Sequence, residues 1–374
     1  MIENLKVQHY KSLKSVDIPF HPLTALIGPN ASGKSNILDA MAFISEFVRG
    51  ENITNMISRR GGYGSCVWGG DRSLHITFEA EGHLSDQEGE ARKPFIYGVQ
   101  LYSVDNLNKI SSERIDFAGK NILRRTEAQW NIPTAIPGPR MDFADPLTSA
   151  VPGTAGQSKP IQFVYDNIRN WKFYQFDTNA MREPQPIRKQ YQLEKSGRNL
   201  STVLHALYSE SHPAWDEISE ILKVFLPRVK KLLSPIDDSG GTYAAILEEG
   251  LPNHISTRAM SDGTLFALAL ATALSVPHAP GLLAFEAPDT EIHPYLLEHI
   301  AELLISASER TQIVVTTHSP YLVKHLPAES IVIVEHRGGE TKVKAVSNDN
   351  TIMEAIKSLG PAEAWYSGHI GGVP

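Results

Sequence analysis

Apolar and polar residues alternate through IENLKVQHYKSLKSVDIPF at the start of the chain, predicting a strand pair that turns near Ser12. LTALIG follows as a short apolar strand. KSNILDAMAFISEFV then reads as an amphipathic helix with Ile37, Ala40, Met41 and Ile44 on one face. Strand-like runs recur at LHITFEAEG and FIYGVQLYSV. Residues 127–160 carry prolines at 133, 137, 139, 146, 152 and 160 and read as a surface loop or insertion. Between Leu200 and Leu233 the pattern is helical, without the sustained heptads of a long coiled coil. Beyond Pro252, helices at LFALALATALSV and YLLEHIAELLISASE alternate with strands at LLAFE, QIVVTT and SIVIVEH. Short apolar strands separated by helices predict an α/β fold with a mostly parallel, doubly covered sheet. The expected organisation is an N-terminal lobe over 1–125, a proline-rich loop and helical insertion over 126–235, and a C-terminal lobe over 236–374.

Composition narrows the chemistry. Of 374 residues, 35 are Lys or Arg and 42 are Asp or Glu, a net charge of −7, so no global positive field recruits nucleic acid or an anionic membrane. The single cysteine, Cys66, excludes an internal disulfide and a cysteine-built metal site, and fits a reducing compartment. No apolar run is long enough to span a bilayer, so a cytoplasmic location without a membrane partner is expected.

Four motifs carry candidate chemistry. GPNASGKS, Gly28–Ser35, satisfies G-x-x-x-x-G-K-[ST] between a predicted strand and a predicted helix, the context a phosphate loop needs. Its glycines let backbone N–H groups turn toward phosphate oxygens, and the helix start adds partial positive charge. Lys34 is placed to bridge the β- and γ-phosphates of ATP, and Ser35 to put its hydroxyl on Mg²⁺. In GLLAFEAPDTEIHP, Glu286 ends an apolar strand, where a carboxylate can hold the magnesium shell; alone, it would read as an ordinary strand-end acid. In MSDGTLFALALATAL, Asp262 or Ser261 can serve as a helix N-cap, and the same helix start can be a second anion site for a nucleotide held by another subunit. In VVTTHSP, His318 follows a buried strand at the sheet edge where ligands bind in such folds.

In this order and spacing the chain resembles ABC-type ATPase heads of the RecF, SMC and OLD branch. More closely, it is similar to the short bacterial AAA-family ATPases of antiphage defence operons. NLKVQHYKSLKSVDI, RRGGYGSCVWGG, NWKFYQFD and AEAWYSGHIGGVP share in the resemblance. It implies a two-lobed P-loop head that forms a homodimer around two ATP molecules, with higher assemblies left open. Gly28, Asn30, Gly33, Lys34, Ser35 and Asn36 then belong to the nucleotide site in cis, and Ser261 and Gly263 meet the γ-phosphate in trans. Glu286 and Ser35 take the magnesium positions, and His318 matches the switch histidine. The pattern departs at Ala287, where the family generally has a second acid that polarises the attacking water. Loss of such a base costs about a hundred- to ten-thousand-fold in rate. A Glu→Ala exchange that traps ATP or a homologue that has lost hydrolysis accounts for it, and the intact remainder of the site favours the exchange. Asp289 and Glu291 lie nearby but are poorly placed substitutes.

The resemblance implies an ATP-driven regulator of a separate effector, a nuclease or toxin of TOPRIM type included, because only about forty residues follow SIVIVEH. One alternative is a DNA-repair or DNA-clamp ATPase using Arg59 and Arg60, Arg124 and Arg125, or Arg228, Lys230 and Lys231; as surface charges these clusters need no such role. Another is a nucleotide-gated scaffold that never turns over.

Overall fold

The alternating N-terminal stretch forms antiparallel strands Ile2–Tyr10 and Leu13–Pro19, paired from Asn4↔Pro19 to Tyr10↔Leu13. The computed structural model describes residues 1–85, 92–126, 130–131, 159–275 and 280–372. The chain divides into two units. The first takes Met1–Trp171, Pro280–Leu282 and Pro327–Pro374; the second takes Lys172–Ala279 and Leu283–Leu326.

In the first unit a seven-stranded antiparallel sheet runs in the order Leu13–Pro19, Ile2–Tyr10, Ile76–Ser85, Arg92–Val104, Leu107–Phe117, Lys120–Thr126, Trp130–Asn131. Two of its hairpins close on residues with positive φ: Asp105 and Asn106 at 52° and 62°, then Ala118 and Gly119 at 51° and 76°. Such turns match the right-handed twist of the strands they join. They turn the chain into Leu107–Phe117 and Lys120–Thr126, two strands that the apolar runs alone do not announce. The same unit holds the buried strand Leu23–Ile27, which pairs in parallel with Ile331–Arg337. Ile331–Arg337 in turn pairs antiparallel with Glu340–Ala345.

Helix Lys34–Val48 follows Leu23–Ile27 and buries Ile37, Ala40, Met41 and Ile44, the face its period predicts. Phe43 adds to that face, stacking on Phe78 at 5.1 Å and meeting Tyr10 edge-on at 6.0 Å. Burying one such ring stabilises by about 1.5–3 kcal/mol. Polar ties fix the helix further. Tyr10 Oη donates to Asp39 at 2.5 Å, and Ser45 Oγ donates to the Ile168 carbonyl of helix Lys159–Arg169 at 2.9 Å.

In the second unit, strand Leu282–Glu286, from Leu283 onward, runs parallel to Lys172–Tyr174, from Leu283↔Lys172 to Phe285↔Tyr174. Strand Gln312–Thr317, buried throughout, is its neighbour on the other side. Phe285 stacks on Tyr174 at 5.3 Å, and Phe176 meets both Phe285 and Phe266. This aromatic cluster packs helix Asp262–Ser275 against the strand. From Thr264 to Ser275 every residue of that helix is buried, so it is apolar all round rather than amphipathic.

The stretch expected to be helical up to Leu233 is helical over Leu200–Ser209 and Pro213–Phe225, but Val229–Leu233 is a strand. Pro227 disfavours helix at Leu226, and pairing from Val229↔Glu248 to Leu233↔Ala245 supplies the backbone partners instead. Most of the proline-rich stretch 127–160 lies outside the described residues. Among the described residues the longest helix, Lys34–Val48, has 15 residues, and no helix is long and apolar enough to cross a membrane.

Candidate functional site

The phosphate-loop motif opens where Leu23–Ile27 ends. Gly28 has φ 149°, and a Cβ there would stand 2.0 Å from the Val334 carbonyl oxygen of the paired strand. Gly33 has φ 111°, and a Cβ there would meet Thr341 Oγ1 at 2.1 Å. Both positions therefore demand glycine by conformation and by space. Gly33 is also the N-cap of Lys34–Val48, with no side-chain cap and no acid in the first turn. The helix start presents N–H groups that no capping side chain occupies, which suits an anion.

Lys34 is 5% exposed, and its ammonium donates to the carbonyls of Gly28 and Pro29, each at 2.8 Å, and to Ser32 Oγ at 3.3 Å. Burial pushes its pKa down to about 8. A desolvated cation folded into a ring of neutral oxygens gains most from an arriving polyphosphate. Ser35 and Asn30 are exposed beside it.

The loop is braced from behind by residues that sequence reading does not single out. Asn36 Nδ2 donates to Ser12 Oγ at 2.7 Å, and Ser12 Oγ lies 2.7 Å from Thr341 Oγ1. Thr341 Oγ1 donates to the Ser32 carbonyl at 3.0 Å, and Thr341 N–H donates to the Ser12 carbonyl at 2.8 Å. A hydroxyl relay thus ties the first strand turn and the strand Glu340–Ala345 to the loop. Asn36, expected among the nucleotide ligands, spends its amide on this brace. No sequence signal links Thr341 to a loop some three hundred residues earlier.

The remaining motif residues fall in the second unit. Ser261 is the helix N-cap: Thr264 N–H donates to Ser261 Oγ at 3.2 Å. Asp262, in the first turn, has its carboxyl held below the usual range by hydrogen bonds from Thr178 and Arg182. A Cβ on Gly263 would stand 2.8 Å from the Glu291 carbonyl oxygen, so the helix start abuts the loop that follows Glu286.

Glu286 ends its strand half-buried. Ala287 turns the chain away with φ 49°, its N–H shared between the Thr316 carbonyl at 3.1 Å and Thr316 Oγ1 at 3.0 Å. The two strand ends are thereby locked together, with exposed His318 next beyond Thr317. Asp289 has one buried carboxyl oxygen without a hydrogen-bond partner, and burial raises its pKa against the opposing Thr317 hydrogen bond.

The Arg59–Arg60 cluster is neutralised by ion pairs, and one residue of each other candidate basic cluster has an acidic neighbour. Arg60, with a side chain 10% exposed, pairs with Asp39 at 3.0 Å and Glu46 at 2.8 Å, and Arg59 pairs with Glu51 at 2.5 Å. Arg125 is buried against Glu113 at 3.3 Å and cannot form a DNA-facing surface in this fold. Lys230 lies 3.7 Å from Glu249.

Comparison with known proteins places likenesses in both segments that carry these motifs. Residues 141–324 match the family described as "AAA domain, putative AbiEii toxin, Type IV TA system", and residues 1–56 match "AAA ATPase domain". The chain is 40% identical over 73 residues to chromosome condensation protein dpy-27 of Caenorhabditis elegans, covering 18% of this chain and 5% of that protein. It is 41% identical over 44 residues to the OLD nuclease of Thermus scotoductus, covering 12% of this chain and 8% of that protein. These matches span less than a tenth of either relative. A crystal structure of the SMC head bound to the C-terminal winged-helix domain of ScpA superposes with a TM-score of 0.62 at 18% identity, over 93% of this chain and 99% of that one. A glycine-lined phosphate loop, an SMC-head fold and ATPase-domain matches at both ends of the motif set make this chain similar to the ABC-type ATPase heads of the RecF, SMC and OLD branch.

Proposed function

We propose that the chain binds ATP at Gly28–Ser35, dimerises around it, and regulates a separate effector protein in antiphage defence, with turnover impaired at Ala287. The observation that carries this reading is the buried Lys34 in its oxygen ring beneath an uncapped helix start. Gly28, Asn30, Gly33, Lys34 and Ser35 hold the polyphosphate, with Asn36 bracing the loop from behind. Ser261 and Gly263 of a second subunit close over the γ-phosphate, the role that the resemblance to ABC-type heads implies for them, with the Ser261 hydroxyl turning from the Thr264 N–H to the nucleotide. The domain boundaries 1–125, 126–235 and 236–374 belong to this proposal.

The donor set fits magnesium. Ser35 supplies a hydroxyl and Glu286 a carboxylate, the hard oxygens that this ion takes beside phosphate and water. The chemistry it would supply there is neutralisation of phosphate charge. Glu286 would hold the ion's shell and His318 would face the γ-phosphate, while Ala287 offers only a methyl group where a water-activating acid would be needed. Nucleotide is therefore held far longer than it is cleaved.

The effector reading draws support from the toxin–antitoxin description of the matched family and from the likeness to an OLD nuclease. Light scattering with and without ATP tests the central claim. A shift from monomer to dimer on adding ATP and magnesium is expected, and a protein that binds ATP yet stays monomeric overturns it. Co-purification with neighbouring gene products tests the effector, and defence activity by the isolated chain refutes that part.

A further inference from the structure

Four oxygen atoms of the segment leading into the Asp262–Ser275 helix converge on one side chain. Arg182 Nη1 donates to the carbonyls of Met260 at 2.7 Å, Thr257 at 3.2 Å and Arg258 at 3.3 Å. Its Nη2 donates to Asp262 Oδ1 at 2.5 Å. The backbone of Arg182 also takes part, since Thr257 Oγ1 donates to its carbonyl at 3.0 Å. The neighbouring Glu183 pairs with Arg258 at 2.7 Å, though both side chains are exposed and the pair adds little. Arg182 is set in place by the short helix Thr178–Met181, which Asp177 caps through the N–H groups of Asn179 and Ala180.

We propose that Arg182 is a positioning residue for the trans nucleotide contact: its guanidinium fixes the backbone that aims Ser261 and Gly263 at the γ-phosphate of a second subunit. This rests on the reading that Ser261 meets a nucleotide in trans. The physical ground is the shape of the group. A guanidinium presents a planar fork of donors that can serve several acceptors at once, whereas a lysine ammonium is a compact point charge. Thr257 to Met260 form no helix, and the carbonyls of Thr257, Arg258 and Met260 take Arg182 as a donor in place of a helical N–H. Without it the segment is free to take other paths, and the N-cap hydroxyl loses its fixed direction. Arg182 touches neither substrate nor reacting atoms in this role. It lies 79 residues from Ser261 (261 − 182 = 79) in the sequence, so no motif reading of SDGTL reaches it.

The test uses the full chain and separates two equilibria: ATP binding to one subunit, read with a fluorescent ATP analogue at low protein concentration, and ATP-driven dimerisation, read by light scattering. Arg182→Ala is expected to leave the first within about twofold and to weaken the second at least about tenfold, a loss in the range of a few unsatisfied carbonyls. Arg182→Lys keeps the charge and most of the stem and serves as the deciding variant if the alanine protein does not fold. It is expected to weaken dimerisation in the same direction. Asp262→Asn, which leaves the three carbonyl contacts in place, is expected to have a smaller effect than Arg182→Lys. A merely structural role would lower the melting temperature and leave the dimerisation constant of the folded protein unchanged, and that result overturns the inference. Ser261→Arg is the control on the underlying reading. If it abolishes dimerisation while folded Arg182 variants dimerise normally, the inference falls and the trans reading stands. If Ser261→Arg also dimerises normally, the trans reading falls with it.

Discussion

The phosphate loop is one run of consecutive residues, Gly28–Ser35, whose shape follows from its own glycines and the helix it opens. The motif residues of the second unit are assembled differently. Ser261, Glu286, Ala287 and His318 stand at the ends of three separate elements, held by an aromatic cluster, a shared Thr316 hydrogen bond and the Arg182 fork. The first region takes its shape from local geometry; the second takes its arrangement from distant residues. A local motif tolerates little change inside itself and much outside, while an assembled one can be broken from afar.

The largest test of this contrast lies at Ala287. Ala287→Glu restores a carboxylate at the turn and is expected to raise the phosphate-release rate about a hundred- to ten-thousand-fold. The backbone at φ 49° is already left-handed for alanine, so glutamate inherits that geometry with little added strain. Vigorous turnover by the variant sinks the scaffold reading; continued silence means that the assembled half lacks more than one group.

Next comes the local half itself. Lys34→Met removes the cation from its oxygen ring and is expected to weaken ATP binding at least about thirtyfold, as loss of one partner from a buried charge contact does. Isothermal titration with ATP and magnesium measures it, and unchanged affinity would remove the phosphate loop from the proposal. Gly33→Ala is expected to act in the same direction, because its Cβ would overlap Thr341 Oγ1.

A smaller effect is expected behind the loop. Thr341→Val keeps the shape but leaves the Ser32 carbonyl and Ser12 hydroxyl short of a partner, a loss of roughly 1–3 kcal/mol. Affinity for ATP should fall about tenfold on that scale, and Thr341→Ser should recover most of it. Equal affinity in Thr341→Val and the parent protein would show that the loop holds its shape without the relay, making the local half more self-sufficient still.

The smallest expected change is at Asp289, in the assembled half. Its folded pKa is raised by burial above the ordinary 3.8, so ionising it opposes folding. Stability from this group is therefore highest below pH 3.8 and falls as pH rises through the folded pKa. Asp289→Asn is expected to raise the melting temperature by about 1–3 °C at neutral pH, with the gain fading as pH approaches 4. A thermal scan across pH reads this. A gain that persists unchanged at pH 4 would mean that the carboxylate charge is not its source.

Sequence reading reached the phosphate loop, its helix and the strand that precedes it, because each is specified by neighbours in the chain. It singles out Ser261, Glu286 and His318 because they end or begin apolar elements, and Ala287 because it breaks an acidic pair that the resemblance implies; their roles belong to the proposal. It misread Val229–Leu233 as helical, since a short apolar run carries no period of its own and the partner strand Ala245–Glu248 decided the outcome. It counted Arg125 as a candidate surface charge, since an arginine's sequence neighbours do not reveal that it is buried against Glu113, whose carboxylate also accepts from Tyr97 and Tyr165.

What the sequence determined by itself was local: glycines where φ is positive, a lysine at a helix start, apolar strands ending in polar groups. Tertiary structure alone decided which distant side chains brace those pieces. Thr341 reaches the loop, Arg182 reaches the helix start, and strand Ile331–Arg337 returns to the first unit beside Leu23–Ile27. Backbone conformation is governed by neighbours a few residues away, whereas hydrogen-bond partners for a buried carbonyl come from whatever the fold brings within about 3 Å of it.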